Sequence, residues 1–382
     1  LEGNFRFTHI ELKNWRNFSA ASADLQKRLF LIGPNASGKS NFLDVFRFLH
    51  DIASVGGGFQ EAVAKRRGVS SLRCYAARKY PDVNVQVAIG TDSEPRFWTY
   101  RLEFSQDNNQ RPYLKGEFVF NHGKKILERP NSDDRADQER LKQTFLEQVN
   151  VNRDFREIVE FFESVRYLHL VPQLIRDPDR SIGKRADPFG GDFLEQVART
   201  NDKTRKSRLG RILNAMKAAV PQLEELDLDR DVMGVPHLKA KYQHWRAHGA
   251  WQREDQFSDG TLRLMGLLWS VISSSGPLLL EEPELSLHPE IVRRIPQMLA
   301  RVQRRSGSQV MLSTHSRELL EDDGIGLHEI LILTPSSEGT KVRAAADYKD
   351  IRELLESGMN LADAVLPHTR PHGAEQLIFK LD

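Results

Sequence analysis

The chain has 382 residues, 39% of them hydrophobic and 28% charged, an ordinary composition for a folded protein with a sizeable core. That excludes wholesale disorder, collagen-like repeats and a short peptide module. Lys and Arg number 55 against 53 Asp and Glu, a formal net charge of +2, so the global balance points to neither nucleic acid nor membrane and any basic face has to be local.

Leu1-Glu2-Gly3 reads as the scar of a cleaved tag. Phe5–Leu12 alternates apolar and polar residues as a strand does, and Leu29–Ile32 is a second, wholly apolar strand. It runs into Gly33-Pro34-Asn35-Ala36-Ser37-Gly38-Lys39-Ser40, after which Phe42, Leu43, Val45, Phe46 and Leu49 recur at helical spacing. Cys74 is the single cysteine, which rules out an intrachain disulfide and a Cys-rich metal cluster. A reducing, cytoplasmic setting is the simplest expectation. Val83–Ile89, Phe97–Phe104 and Tyr113–Phe120 predict an antiparallel meander. Arg135–Val165 reads as helical, Tyr167–Val171 as a strand, Asp177–Gly191 as a surface loop and Lys203–Ala219 as an amphipathic helix. Leu223–Leu228 with Leu238–Tyr242 suggests a hairpin.

The last third alternates helix and strand: an apolar helix from Ser258, strand Pro277–Leu280, helix Pro289–Val302, and strands Val310–Ser313 and Ile330–Leu333. This pattern predicts a largely parallel sheet with helices on its faces. Lys341–Ala344 reads as a further strand and Asp350–Glu356 as a helix. Leu264–Ile272, the longest apolar stretch, is broken by Gly266 and Ser270 and falls well short of the ~20 residues of a membrane helix. No membrane partner is expected.

Gly33–Ser40 fits G-x-x-x-x-G-K-[ST] between a strand and a helix. Such a loop turns backbone N–H groups onto phosphate oxygens at a helix N-terminus. Lys39 then reaches the β- and γ-phosphates and Ser40 a Mg²⁺ ion. Leu278–Leu280 ends in Glu281-Glu282-Pro283-Glu284, which places Glu281 to complete the metal shell and Glu282 to orient or deprotonate water. Ser258-Asp259-Gly260-Thr261 opens its helix as an N-cap and as a second anion site, one that has to meet a nucleotide held by another subunit. His315 ends an apolar strand, where a γ-phosphate sensor is needed.

This order of motifs resembles the ATP-binding cassette ATPases, and within them the RecF-like and chromosome-maintenance (SMC) branch. The resemblance implies Walker A at Gly33–Ser40 with Asn41 adjoining, a signature loop at Phe257–Thr261, Walker B at Leu278–Glu282, a D-loop at Glu284–His288 and a switch histidine at His315. Gln173 is the corresponding Q-loop candidate, a third metal-shell residue beside Ser40 and Glu281. Asn14-Trp15-Arg16-Asn17-Phe18 is similar to the first turn of RecF-like proteins. Two departures, Glu281 for the usual Asp and Ser-Asp-Gly-Thr for Ser-Gly-Gly-Gln, resemble the AAA15/AAA21 and OLD-type ATPases.

The expected fold is α/β: a P-loop ABC-type ATPase core with an antiparallel β-meander and an inserted helical lobe. Its parts are residues 4–134, with Walker A and the meander; 135–245, the inserted lobe with the hairpin; and 246–382, with signature, Walker B and switch histidine. The 217 residues between Ser40 and Ser258 are too many for a transporter nucleotide-binding subunit, and no heptad array for long coiled coils is present. The expected function is a Mg²⁺-dependent ATP hydrolase acting as a homodimeric, or higher even-numbered, switch through an ATP sandwich. The resemblance implies a bacterial anti-phage role with a separate effector, a TOPRIM-type or other nuclease, or alternatively RecF-like DNA repair. Nucleic acid is a further candidate partner, through Lys65-Arg66-Arg67 with Arg73, Arg78 and Lys79, or through Arg205, Arg208 and Arg211 on one helix.

Overall fold

The parallel strands of this chain are apolar along their central positions because the sheet they form is covered on both sides. In the computed structural model, which describes residues 5–77, 81–177, 187–244 and 250–370, this sheet runs in the order Lys341–Ala344, Ile330–Thr334, Arg28–Ile32, Val310–Ser313, Leu278–Glu281, Arg166–Leu168. All its pairings are parallel except the antiparallel edge pair of Ile330–Thr334 with Lys341–Ala344. Side chains alternate across it with period two. Leu29, Leu31, Leu279, Met311, Leu331 and Leu333 face a core shared with the helix Lys39–Ala53. Phe30, Ile32, Leu278, Leu280, Leu312 and Ile332 face a second core with the helix Asp259–Ser273.

An antiparallel sheet closes the first core in the order Phe18–Asp24, Arg6–Trp15, Val83–Gly90, Trp98–Gln106, Pro112–Asn121, Lys124–Arg129. The predicted meander is its centre. Leu223–Arg230, Pro236–Tyr242 and Ala250–Arg253 form a three-stranded sheet, the predicted hairpin extended by one strand.

Arg135–Val165 is not one helix. It is broken into Ser132–Ala136, the 3₁₀ turns Gln138–Lys142 and Arg153–Phe155, and Arg156–Glu163. Arg129 sits among these pieces, its guanidinium donating to the carbonyls of Arg140 and Gln143. Pro289–Val302 divides into Pro289–Val292 and Ile295–Ser306 because Pro296 has no N–H to offer the Val292 carbonyl. The strand expected at Tyr167–Val171 is Arg166–Leu168, and Pro172 starts a short helix instead. Of the expected loop Asp177–Gly191, residues 178–186 lie outside the described residues, as do Arg78 and Lys79.

Among the described residues, Arg66, Arg205 and Arg208 are not free charges on the surface of these clusters. Arg66 is buried and ion-paired to Asp44 at 2.7 Å and Asp51 at 2.8 Å. On the helix Asp202–Met216, Arg205 pairs with Asp202 at 2.6 Å and donates to the Thr200 carbonyl, while Arg208 lies 5.4 Å from the Trp269 ring centroid. Arg211 alone of these three is exposed. Among the described residues no helix is long and apolar enough to cross a membrane.

Candidate active site

The register of the parallel sheet brings the motifs together. Glu281 lies opposite Ser313, and Ser313 opposite Leu31, so three strands end side by side. Each end leads directly into reactive groups: Glu282 after one, Thr314-His315 after the next and Gly33–Ser40 after the third.

The loop between Ile32 and the helix Lys39–Ala53 admits no larger residue at its two glycines. A Cβ on Gly33 would stand 2.5 Å from the Leu333 carbonyl oxygen, and Gly38 sits at φ +95° with Asn17 3.1 Å from where a Cβ would be. Ser37 N–H donates to the Pro34 carbonyl, and Ala36 takes a left-handed conformation. The N-terminal turn braces the loop. Asn17 donates to the Ala36 carbonyl and accepts from the amide of Asn41, and its own carbonyl accepts from Thr340 N–H at 2.7 Å. Asn41 is thus spent on the turn, with its carbonyl taking the Trp15 indole N–H at 2.9 Å.

Lys39 is folded back on its own loop, its Nζ donating to the Gly33 carbonyl at 3.0 Å and the Pro34 carbonyl at 3.2 Å. Burial lowers its pKa to about 8, against the opposing pull of the Glu282, Glu281 and Glu284 carboxylates. Ser37 Oγ is buried with no hydrogen-bond partner among the described residues. A loop holding an orphan hydroxyl and a desolvated ammonium at a helix N-terminus fits a polyphosphate.

Ser40 Oγ donates to one oxygen of Glu281, and the Tyr167 hydroxyl donates to the other. Burial, with the neighbouring Glu281 charge, raises the Tyr167 pKa, so the phenol stays a neutral donor. Hard oxygen donors from one hydroxyl and one carboxylate are the protein ligands Mg²⁺ usually takes beside phosphate, so the residues fit that ion. Glu282 adopts a left-handed backbone at φ 43°, and its N–H donates to the Ser313 carbonyl at 3.1 Å. Its Oε1 lies 3.5 Å from His315 Nε2. The loss of solvent around the imidazole and the Lys39 charge lower the His315 pKa, with Glu282 opposing, which favours the neutral ring.

Ser258 is exposed and caps the helix Asp259–Ser273, accepting from Thr261 N–H at 3.2 Å. Gly260 packs on the turn after Glu282: a Cβ there would meet the Ser286 carbonyl oxygen at 2.5 Å. Gln173 donates to Asp259 at 3.4 Å, and Arg176 pairs with the same carboxylate at 2.6 Å. The structure therefore groups Gln173 with the signature loop, and Tyr167 is the residue from this strand end that touches Glu281. Tyr167 carries no motif and escapes sequence reading, whereas Glu284 is read there only as the start of the D-loop segment Glu284–His288. A tyrosine near the end of a strand that pairs with the Walker B strand was the available signal for the first.

The family described as "AAA domain, putative AbiEii toxin, Type IV TA system" matches residues 29–321. No curated protein matches the sequence. Among solved structures, the SmcHead bound to the C-winged helix domain of ScpA is 14% identical, with a TM-score of 0.54 over 88% of this chain and 97% of that one. The Smc head domain with an extended coiled coil, bound to the C-terminal domain of ScpA from Pyrococcus furiosus, is 12% identical, with a TM-score of 0.54 over 92% of this chain and 99% of that one. At these identities the likeness is one of fold. The chain, whose fold is similar to that of the SMC head domains, therefore belongs to the AAA_21 family.

Proposed function

We propose that the protein is an ATP-gated dimeric switch, in which ATP lies between Gly33–Ser40 of one subunit and Ser258/Gly260 of the other. Hydrolysis then releases the pair. The observation that carries this reading is the convergence of Lys39, Ser40, Glu281, Glu282 and His315 at adjacent strand ends of one sheet.

When ATP binds, Lys39 exchanges the Gly33 and Pro34 carbonyls for phosphate oxygens, a partner that favours its charged form. Mg²⁺, held by Ser40 and Glu281, neutralises phosphate charge when bound. Glu282 accepts the proton of the water that attacks the γ-phosphorus as the bond to ADP breaks, and His315, 3.5 Å from that carboxylate, turns its single N–H toward the transferred phosphoryl group. Exposed Ser258 presents its hydroxyl and the helix N-terminus to the partner's nucleotide.

The family description, with its toxin–antitoxin setting, supports a defence component. The ScpA domains bound to the related heads support a docked partner protein.

The test is a pair of variants. Glu282→Gln is expected to abolish turnover while trapping ATP in a nucleotide-dependent dimer, and Lys39→Ala to lose ATP binding itself. Unchanged turnover in Glu282→Gln overturns the assignment.

A further inference from the structure

At the amino ends of the parallel strands, the opposite ends from Gly33–Ser40, lies a groove of about 920 Å³ that none of the sequence motifs reaches. Lys27 and Arg28 open one strand there, Gly307 lies just before the next and Glu329 just before the third. One wall is the helix Ile295–Ser306, which turns Ile295 and Leu299 into the core. At about 3.6 residues per turn, Arg294, Arg301, Arg304 and Arg305 fall within about 100° of one another on the side away from that core. All four are exposed, and among the described residues none makes an ion pair or a side-chain hydrogen bond.

The other cations of the groove are already engaged. Arg28 pairs with Glu329 at 2.7 Å, Arg293 with Glu321 at 2.8 Å and Lys27 with Asp92 at 2.7 Å. These pairs also neutralise Glu321 and Glu329, which leaves Asp322 and Asp323 as the carboxylates opposing four free guanidinium groups, and Asp322 gives one oxygen to Gly324 N–H at 2.8 Å. Arg301 stands three residues from Arg304 and four from Arg305, spacings at which like charges repel on a helix surface. The helix dipole compensates cations in the last turn but not Arg294 or Arg301. A polyanion from outside the chain relieves this repulsion.

The lining selects among polyanions. Ala300 is the one apolar side chain among the described residues of the groove, and no aromatic ring is among them. A protein partner or a compact ligand therefore finds no apolar anchor, and a single nucleic-acid strand finds no ring on which to stack its bases. Arginine forks take phosphate oxygens two at a time. From Arg294 to Arg305 the helix rises ~16 Å, over which one strand of a B-form duplex presents about five phosphates.

We propose that this groove docks the phosphate backbone of double-stranded DNA, with Arg294, Arg301, Arg304 and Arg305 each neutralising a phosphate. Contacts of this kind hold DNA without reading its sequence. The groove and the phosphate loop lie at opposite ends of the same strands, so DNA and nucleotide do not compete, and the inference does not rest on the reading of the ATP site. It also moves the basic face away from Lys65-Arg66-Arg67 and from the helix carrying Arg205, Arg208 and Arg211.

The experiment follows the fluorescence anisotropy of a labelled DNA duplex titrated with the full chain at a series of salt concentrations. With four phosphates neutralised, log Kd is expected to rise with log salt at a slope of about 3–4. Arg301→Ala and Arg305→Ala are each expected to weaken binding several-fold and to lower that slope by about 1. The Arg301→Glu/Arg305→Glu double variant is expected to bind at least about tenfold more weakly, while Arg301→Lys/Arg305→Lys, which keeps both charges, stays within about threefold of the parent. Arg211→Glu is expected to bind as the parent does. Steady-state ATP turnover in the absence of DNA is expected to be unchanged in all of these variants, which reports that they fold. No binding at low salt, an unchanged Kd in the double Glu variant, or an equal loss in Arg211→Glu overturns the site. Equal affinity for the single strand or for an RNA duplex overturns the choice of duplex DNA, and displacement of the duplex by poly-glutamate at equal charge assigns the groove to an acidic protein instead.

Discussion

Tyr167 and Ser40 divide the carboxylate of Glu281 between them, the phenol donating to one oxygen and the serine to the other. The longer Glu side chain, standing where Asp is usual, spans from the Ser40 hydroxyl to a neighbouring strand. Arg47, 5.2 Å from the Tyr167 ring centroid, packs behind it. Tyr167→Phe frees one oxygen and lets the carboxylate swing. The expected result is a several-fold higher Mg²⁺ requirement for nucleotide binding and a stability loss of about 1–2 kcal/mol. A Mg²⁺ titration of fluorescent-ATP binding and a urea melt check both, and an unchanged Mg²⁺ dependence refutes the role.

ATP binding is expected to weaken as pH rises through about 8. Lys39 in the free protein has its pKa lowered to about 8 by burial, so below that pH the ammonium is present, and above it each unit of pH requires proton uptake on binding phosphate. The dissociation constant rises by up to about tenfold per pH unit there. Binding isotherms between pH 7 and 9.5 read this directly, and a flat profile contradicts it.

Mixing two inactive variants is expected to restore hydrolysis. Ser258→Arg chains keep an intact Walker A loop, and Lys39→Ala chains keep an intact signature loop. Their heterodimer therefore has one whole composite site and one carrying both lesions. Phosphate release well above that of either variant alone supports a shared site. Heterodimers that form without recovery argue for sites complete within one chain.

Stability should depend heavily on Arg129, remote from the ATP site. It is fully buried, bidentate to Asp134 at 2.8 and 3.0 Å and bonded to Glu117 at 3.0 Å, with the Phe145 ring centroid 3.9 Å away. Arg129→Leu strands two buried carboxylates and is expected to cost about 3–5 kcal/mol. Urea unfolding measures this, and a shift below about 1 kcal/mol shows that the carboxylates find other partners.

The sequence by itself determined the elements whose residues need a particular chemistry in a fixed local order. Gly33–Ser40, the carboxylates after Leu280 and the cap at Ser258 are legible because a phosphate loop, an acidic strand end and a helix N-terminus are each built from neighbouring residues. The parallel sheet was legible for a related reason, since strands covered on both faces become continuous apolar runs. Only the tertiary structure decided what lies across chain separations. Arg129 reaches from outside the Arg135–Val165 segment to the carbonyls of Arg140 and Gln143, and the charges at Arg66, Arg205 and Arg208 are consumed by pairing and stacking. Tyr167 reaches Glu281, and Glu284 reaches His315, through parallel-strand register. Register depends on how whole faces pack, and no short window of sequence contains both partners.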